Sequence, residues 1–204
     1  MLAQINRCTG DAVGGSPQLR GSLIVWQGLF SPAELDALVR LGDSLALGKA
    51  ELSSGRGYEN IRSTKVAWVP RTSQTEDLYR RMEDAVLAIN QRFFRYDLSG
   101  LAALQYAVYG GPEGGHFEWH KDYGRDASDP DQEPRKLTLS MQLSDGGDYK
   151  GCDLQVRGGN LIDTAPRERG TIVAFPGNVL HQVTPIESGL RRSLVTWAVG
   201  PDFR

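Results

Sequence analysis

The sequence predicts a mainly β fold: an antiparallel double-sheet jelly roll braced by two or more N-terminal helices packed on one sheet. Three observations carry this. Two capped amphipathic segments occupy the first half of the chain. From Leu101 onward the helical period vanishes, and short β-type runs separated by glycine and proline turns take over. Strands and helices nowhere alternate as βαβ units would require. With 204 residues and 40% apolar composition the chain can bury one substantial core. A single domain over residues 21–204 is therefore expected, after a flexible lead-in at 1–20.

That lead-in holds Gly10, Gly14, Gly15 and Pro17 among small polar neighbours, with no hydrophobic period. Residues 22–26 read as a strand. Ser31 then stands as an N-cap, with Pro32 at the first helical position and Glu34 closing a capping box. Leu35, Leu38, Val39 and Leu45 trace the apolar face of this helix. The polar, glycine-punctuated stretch 48–60 spells a mobile loop, either a connector or a lid, before a strand at 61–69. A second helix is expected from Ser73, with Glu76 as its capping-box partner. Leu78, Met82, Ala85, Val86, Ile89 and Phe93 form a stripe suited to packing on a sheet. The remaining strands are expected at 101–109, 116–122, 136–144, 152–156, 171–175, 179–185 and 192–199, with Gly189 supplying the turn before the last.

The formal net charge is −2 and no long basic run occurs, so there is no footprint for a phosphate backbone. A small or peptidic substrate is expected, with no nucleic-acid or membrane partner. The two cysteines, Cys8 and Cys152, are too few and too separated for a zinc site or disulfide framework. The N-terminus lacks an apolar core of signal-peptide length, and nowhere do roughly eighteen apolar residues run together. A cytoplasmic protein with reduced thiols is the expectation.

The chemistry centres on His120-Lys121-Asp122. Side chains alternate along a strand, so His120 and Asp122 at i, i+2 share a face with Cα atoms about 6–7 Å apart. One imidazole and one carboxylate can then reach a single cation. The distal His181 would complete a two-His, one-carboxylate facial set, which leaves open positions on non-haem Fe(II). Arg191 and Ser193 share a strand face by the same alternation, and Arg192 points the other way.

The ordered signals His120, Asp122, His181, Arg191 and Ser193 resemble the Fe(II)- and 2-oxoglutarate-dependent dioxygenases, specifically the prolyl-4-hydroxylase-like and PKHD-type hydroxylase group, over roughly residues 60–200. The resemblance implies a double-stranded β-helix, the cupin-like jelly roll. It implies Fe(2+) on His120, Asp122 and His181, 2-oxoglutarate and O2 as co-substrates, and ascorbate as an optional reductant. It assigns the far carboxylate of 2-oxoglutarate to Arg191, whose planar fork offers two parallel donors, with Ser193 adding a third. Tyr109, just before Gly110-Gly111-Pro112, is expected near the co-substrate, and Tyr106 is a further candidate. Gln142 stands where many relatives carry a tyrosine.

The implied reaction is oxidative decarboxylation of 2-oxoglutarate to succinate and CO2, coupled to hydroxylation of an unactivated C–H of an amino-acid residue, free, peptidyl or in a small natural product. A carboxylate at Asp122, rather than a small residue, favours hydroxylation over halogenation. Two other readings share the fold: a non-catalytic metal- or ligand-binding module, and a Zn or Mn enzyme using no 2-oxo acid. Neither needs a carboxylate clamp at Arg191. In the loop after the dyad, Asp126, Asp129, Asp131 and Glu133 outnumber Arg125 and Arg135, which favours a cationic or zwitterionic substrate. His116 reads as a rim residue and Trp197 as a core aromatic with a tethered indole N–H.

Overall fold

The computed structural model describes residues 15–49, 61–110, 114–124 and 133–203. In chain order its elements are β1 (Gln18–Arg20), β2 (Leu23–Trp26), α1 (Pro32–Ser44), β3 (Gly48–Lys49), β4 (Arg62–Ser63), β5 (Lys65–Val69) and α2 (Glu76–Ile89). A π-turn (Asn90–Phe94) leads to β6 (Gly100–Leu101), β7 (Leu104–Gly110), β8 (His116–His120), β9 (Arg135–Gln142) and β10 (Tyr149–Gly151). The chain closes with β11 (Leu154–Gly158), β12 (Leu161–Thr164), β13 (Ile172–Pro176), β14 (His181–Val183) and β15 (Ile186–Val199).

These strands form two antiparallel sheets. The larger runs β1-β2-β13-β9-β15-β7-β5-β3, with β6 and β10 also paired to β15, and the smaller runs β12-β11-β14-β8-β4. Period-two alternation divides the core accordingly. Ile24, Leu104, Tyr106, Leu137, Leu139, Met141, Ile172 and Leu194 face the helices. Their neighbours Leu23, Val25, Ala107, Tyr109, Val173 and Phe175 face the smaller sheet, where they meet Leu154, Val156 and Val183. The inward face of β9 is different: Thr138, Ser140 and Gln142 are buried there between the apolar residues of the other face. A jelly roll with polar side chains sealed between its sheets has a site inside it.

Helix α1 realises its capping box, with Ser31 N donating to Glu34 Oε2 at 2.7 Å and Glu34 N to Ser31 Oγ at 3.4 Å. The second box does not form. Helix α2 starts at Glu76, after Thr75, whose hydroxyl donates to the Pro70 carbonyl at 2.6 Å instead of capping. Glu76 meanwhile pairs with Arg71 at 2.6 Å. The stripe is as expected, with Leu78, Met82, Ala85, Val86 and Ile89 buried.

Other boundaries move for physical reasons. Gln18–Arg20 pairs with β2, so paired strand occupies the end of the expected lead-in. The strand expected at 61–69 is two, β4 in the smaller sheet and β5 in the larger. Of the 48–60 loop, Gly48–Lys49 pairs with β5, and the lid reading for 50–60 lies outside the described residues. Gly189 does have a positive φ of 82°. It sits within β15 opposite Tyr149, however, where a Cβ would strike the Asp148 carbonyl; the turn falls between β14 and β15. β12 had no pattern to read, because Leu161 and Ile162 are exposed. No described helix is long and apolar enough to cross a membrane.

Candidate metal centre and co-substrate pocket

Antiparallel pairing of β8 with β14 sets His120 opposite His181. The strand ends there, so Asp122 does not share a strand with His120. The chain instead folds back on Gly177, whose carbonyl accepts from Asp122 N at 2.9 Å and Tyr123 N at 2.7 Å. This close approach requires glycine, since a Cβ would press on the Arg135 carbonyl at 2.5 Å. The result still brings the three predicted groups together. Asp122 Oδ1 lies 3.7 Å from His120 Nε2, Asp122 Oδ2 lies 3.3 Å from His181 Nε2, and one atom from each residue falls within 4.8 Å of the others.

Both imidazoles are held by their far nitrogens. His120 Nδ1 lies 2.7 Å from the Glu118 carbonyl and His181 Nδ1 3.1 Å from that of Val179. A carbonyl only accepts, so each Nδ1 carries a proton in these bonds, and Nε2 is the nitrogen each ring turns toward Asp122. Thr138 Oγ1 donates to Asp122 Oδ2 at 2.8 Å, while Phe117 stacks on His120. Burial, with a smaller contribution from His181, pushes His120 down to about 4, which keeps it neutral at physiological pH. Burial alone would raise Asp122, but the two histidines outweigh it and hold the carboxyl far below the usual range. Two imidazoles tied at Nδ1 and one carboxylate with a braced oxygen are the donor set of a divalent transition-metal site.

His120, Asp122 and His181 open into a cavity of about 470 Å³ that Tyr109, Arg191 and Ser193 also line. Arg191 is 4% exposed, and its Nε donates to Gln142 Oε1 at 3.0 Å. Gln142 Nε2 in turn donates to Tyr149 OH at 2.9 Å and the Ser144 carbonyl at 3.0 Å. Gln142 therefore stands behind the arginine, not in the cavity wall. The Tyr109 ring centroid lies 5.3 Å from Arg191 Cζ. Ser193 Oγ is buried with no protein partner among the described residues.

Tyr106 is a correction. Three positions from Tyr109, it points to the other face of β7, and its hydroxyl donates to Asp43 on α1 at 2.8 Å. Asp43 also receives Arg192, through Nε at 3.0 Å and Nη2 at 2.9 Å. Trp197 lines the cavity without the expected tether: its indole N–H meets no full hydrogen-bond geometry, though its dipole still favours the Asp122 carboxylate. His116 is bound at Nδ1 to the Gly114 carbonyl, away from the cluster. Arg62, Arg135 and Thr138 also line the cavity. Sequence reasoning missed the site role of all three; for Thr138 the signal was the polar alternation within β9.

Residues 104–199, from β7 to the end of β15, match the 2OG-Fe(II) oxygenase superfamily. That segment, which holds all three residues of the cluster and Arg191, is what the chain shares with the superfamily. It is 29% identical over 161 residues to the PKHD-type hydroxylase PiuC of Pseudomonas aeruginosa, covering 74% of this chain and 69% of the relative. Among solved structures, a Pseudomonas putida prolyl-4-hydroxylase superposes with a TM-score of 0.67 at 24% identity, covering 89% of this chain and 94% of the other. A Trichoplax adhaerens prolyl hydroxylase, solved with a hypoxia inducible factor peptide fragment, superposes with a TM-score of 0.68 at 16% identity, covering 88% and 84%. These two share the fold. The family match, the hydroxylase relatives and the His-Asp-His cluster together support a 2-oxoglutarate-dependent oxygenase of the hydroxylase type, with Fe(2+), 2-oxoglutarate and O2 as its cofactor set.

Proposed function

We propose that this oxygenase hydroxylates an unactivated C–H bond of an amino-acid residue, free, peptidyl or in a small natural product. One atom of O2 enters the substrate as hydroxyl and the other enters succinate, as 2-oxoglutarate loses CO2. In this reading His120, Asp122 and His181 hold Fe(II), which when bound supplies the oxygen activation. Nδ1 bonding fixes the two imidazoles, and Thr138 braces the carboxylate. Arg191 grips the far carboxylate of 2-oxoglutarate, Gln142 orients its guanidinium, and the Ser193 hydroxyl, without a partner among the described residues, offers a further donor.

The observation that carries the reading is the pairing of two features in one cavity: a His-Asp-His cluster and a buried arginine with donors to spare. A metal module without a 2-oxo acid has no use for the second. The hydroxylase names of the relatives support an amino-acid residue as substrate. Under anaerobic conditions, Fe(II) and 2-oxoglutarate together are expected to give a weak visible charge-transfer band, lost in His120→Ala, Asp122→Ala and His181→Ala. A parent protein that binds both but shows no band would refute the assignment.

A further inference from the structure

Four basic side chains among the described residues line the cavity, Arg62, Lys121, Arg135 and Arg191, against one carboxylate, Asp122. On the oxygenase reading, a divalent ion, Asp122, a dianionic 2-oxo acid and Arg191 cancel one another. Arg62, Arg135 and Lys121 then remain uncompensated in a partly desolvated space, an arrangement that favours an anion.

The two arginines come from opposite sheets. Arg62 lies on β4, at the edge of the smaller sheet, and Arg135 begins β9 in the larger. Arg62 Nη2 donates to Gln105 Oε1 at 3.0 Å, and its guanidinium covers Phe117 with Cζ 4.6 Å from the ring centroid. Arg135 lies over Trp197 in the same manner, at 4.2 Å. Each guanidinium thus has one face spent on an aromatic ring, leaving its edge to donate. Both Nε atoms are buried without a hydrogen-bond partner, and neither side chain has an ion pair among the described residues. Burial lowers the proton affinity of Arg62, and Arg135 lowers it further, as two close cations must. Buried guanidinium donors left unpaired are costly. A planar oxyanion bridging the two would satisfy both.

We propose that Arg62 and Arg135 form a second carboxylate-recognition site in this cavity, and that the prime substrate presents a carboxylate to it. The inference rests on the oxygenase reading for the role of Arg191. It narrows the cationic or zwitterionic substrate suggested by the acidic loop to one that carries a carboxylate: Arg135 lines the cavity, while residues 125–132 lie outside the described part. A free amino acid, a peptide C-terminus and an acidic side chain share the required chemistry.

The test uses the full chain, anaerobic and loaded with Fe(II) and saturating 2-oxoglutarate, titrated calorimetrically with a panel of free amino acids, N-acetyl dipeptides, N-acetyl aspartyl and glutamyl amides, and the matching carboxamides. We expect at least one carboxylate to bind ten-fold or more tightly than its amide. That preference should fall below three-fold in Arg62→Gln and Arg135→Gln and be partly restored in Arg135→Lys, while the 2-oxoglutarate charge-transfer band persists in all three. The band also reports that each variant is folded; should Arg62→Gln lose it, the Arg135 pair decides alone. Preference for single amino acids, for free dipeptide termini or for acidic side chains distinguishes the three sources. No carboxylate preference in the parent, or a preference unchanged at Arg135→Gln, overturns the proposal. A carboxylate preference without any band in the parent would uphold the anion site and count against the oxygenase reading.

Discussion

Replacing Arg191 with glutamine removes the guanidinium but leaves the metal cluster untouched, so it separates co-substrate binding from iron binding. Arg191 is 4% exposed, so any carboxylate it holds is shielded from water. Hydrogen bonds to charged groups contribute about 1.5–3 kcal/mol each. A two-pronged contact partly replaced by the glutamine amide then leaves a net loss of about 3 kcal/mol, or roughly 100-fold in affinity. The Gln142 carbonyl also loses the donor it accepts from at 3.0 Å. The assay is anaerobic titration of 2-oxoglutarate into Fe(II)-protein, following the visible band, with Fe(II) affinity measured separately by competition with a chelator. We expect the 2-oxoglutarate dissociation constant to rise about 100-fold and Fe(II) affinity to change less than three-fold. An unchanged 2-oxoglutarate constant would refute the clamp, and an equal loss in both would reassign Arg191 to holding the cluster together.

Two further outcomes follow from the same geometry. His120 is depressed from its ordinary value of 6.5 to about 4 in the folded metal-free protein, so the unfolded chain takes up its proton first. Its contribution to stability is present above pH 6.5 and is lost as pH falls toward 4, with a slope of up to about 1.4 kcal/mol per pH unit. Denaturant unfolding of metal-free protein across that window should show the slope, and His120→Gln should flatten it; equal slopes would sink the argument. Tyr106→Phe should cost about 1 kcal/mol of stability through the lost bond to Asp43 while leaving the 2-oxoglutarate constant unchanged. A shift in that constant would return Tyr106 to the pocket.

The metal cluster was legible because its geometry is mostly local. His120 and Asp122 are two residues apart, and the distal His181 needs only a neighbouring strand to reach them. That Asp122 joins through a turn on Gly177, not along the strand, left no mark in the sequence, since it depends on a carbonyl far along the chain. The opposite facing of Tyr106 and Tyr109 could have been read from their odd spacing on one strand. Arg62 could not. It sits on a two-residue strand whose partner, β8, is set by tertiary pairing, so its neighbours say nothing of the cavity it enters. The failed cap at Ser73 has a similar cause: Thr75 and Glu76 are drawn to Pro70 and Arg71 by the path of the preceding chain.

Asp43 gives the buried strands a fixed attitude. It sits on α1 outside the larger sheet, yet it takes Tyr106 from β7 and Arg192 from β15, two strands paired side by side. Their sequence neighbours on the reverse face include Arg191, with Tyr109 nearby on β7. A roll of β15 about its own axis would turn the Arg191 backbone position away from the cavity, and that roll would tear Arg192 from its anchor. One carboxylate on the outer surface thus acts as a rivet that keeps a cation aimed inward on the far side of the wall.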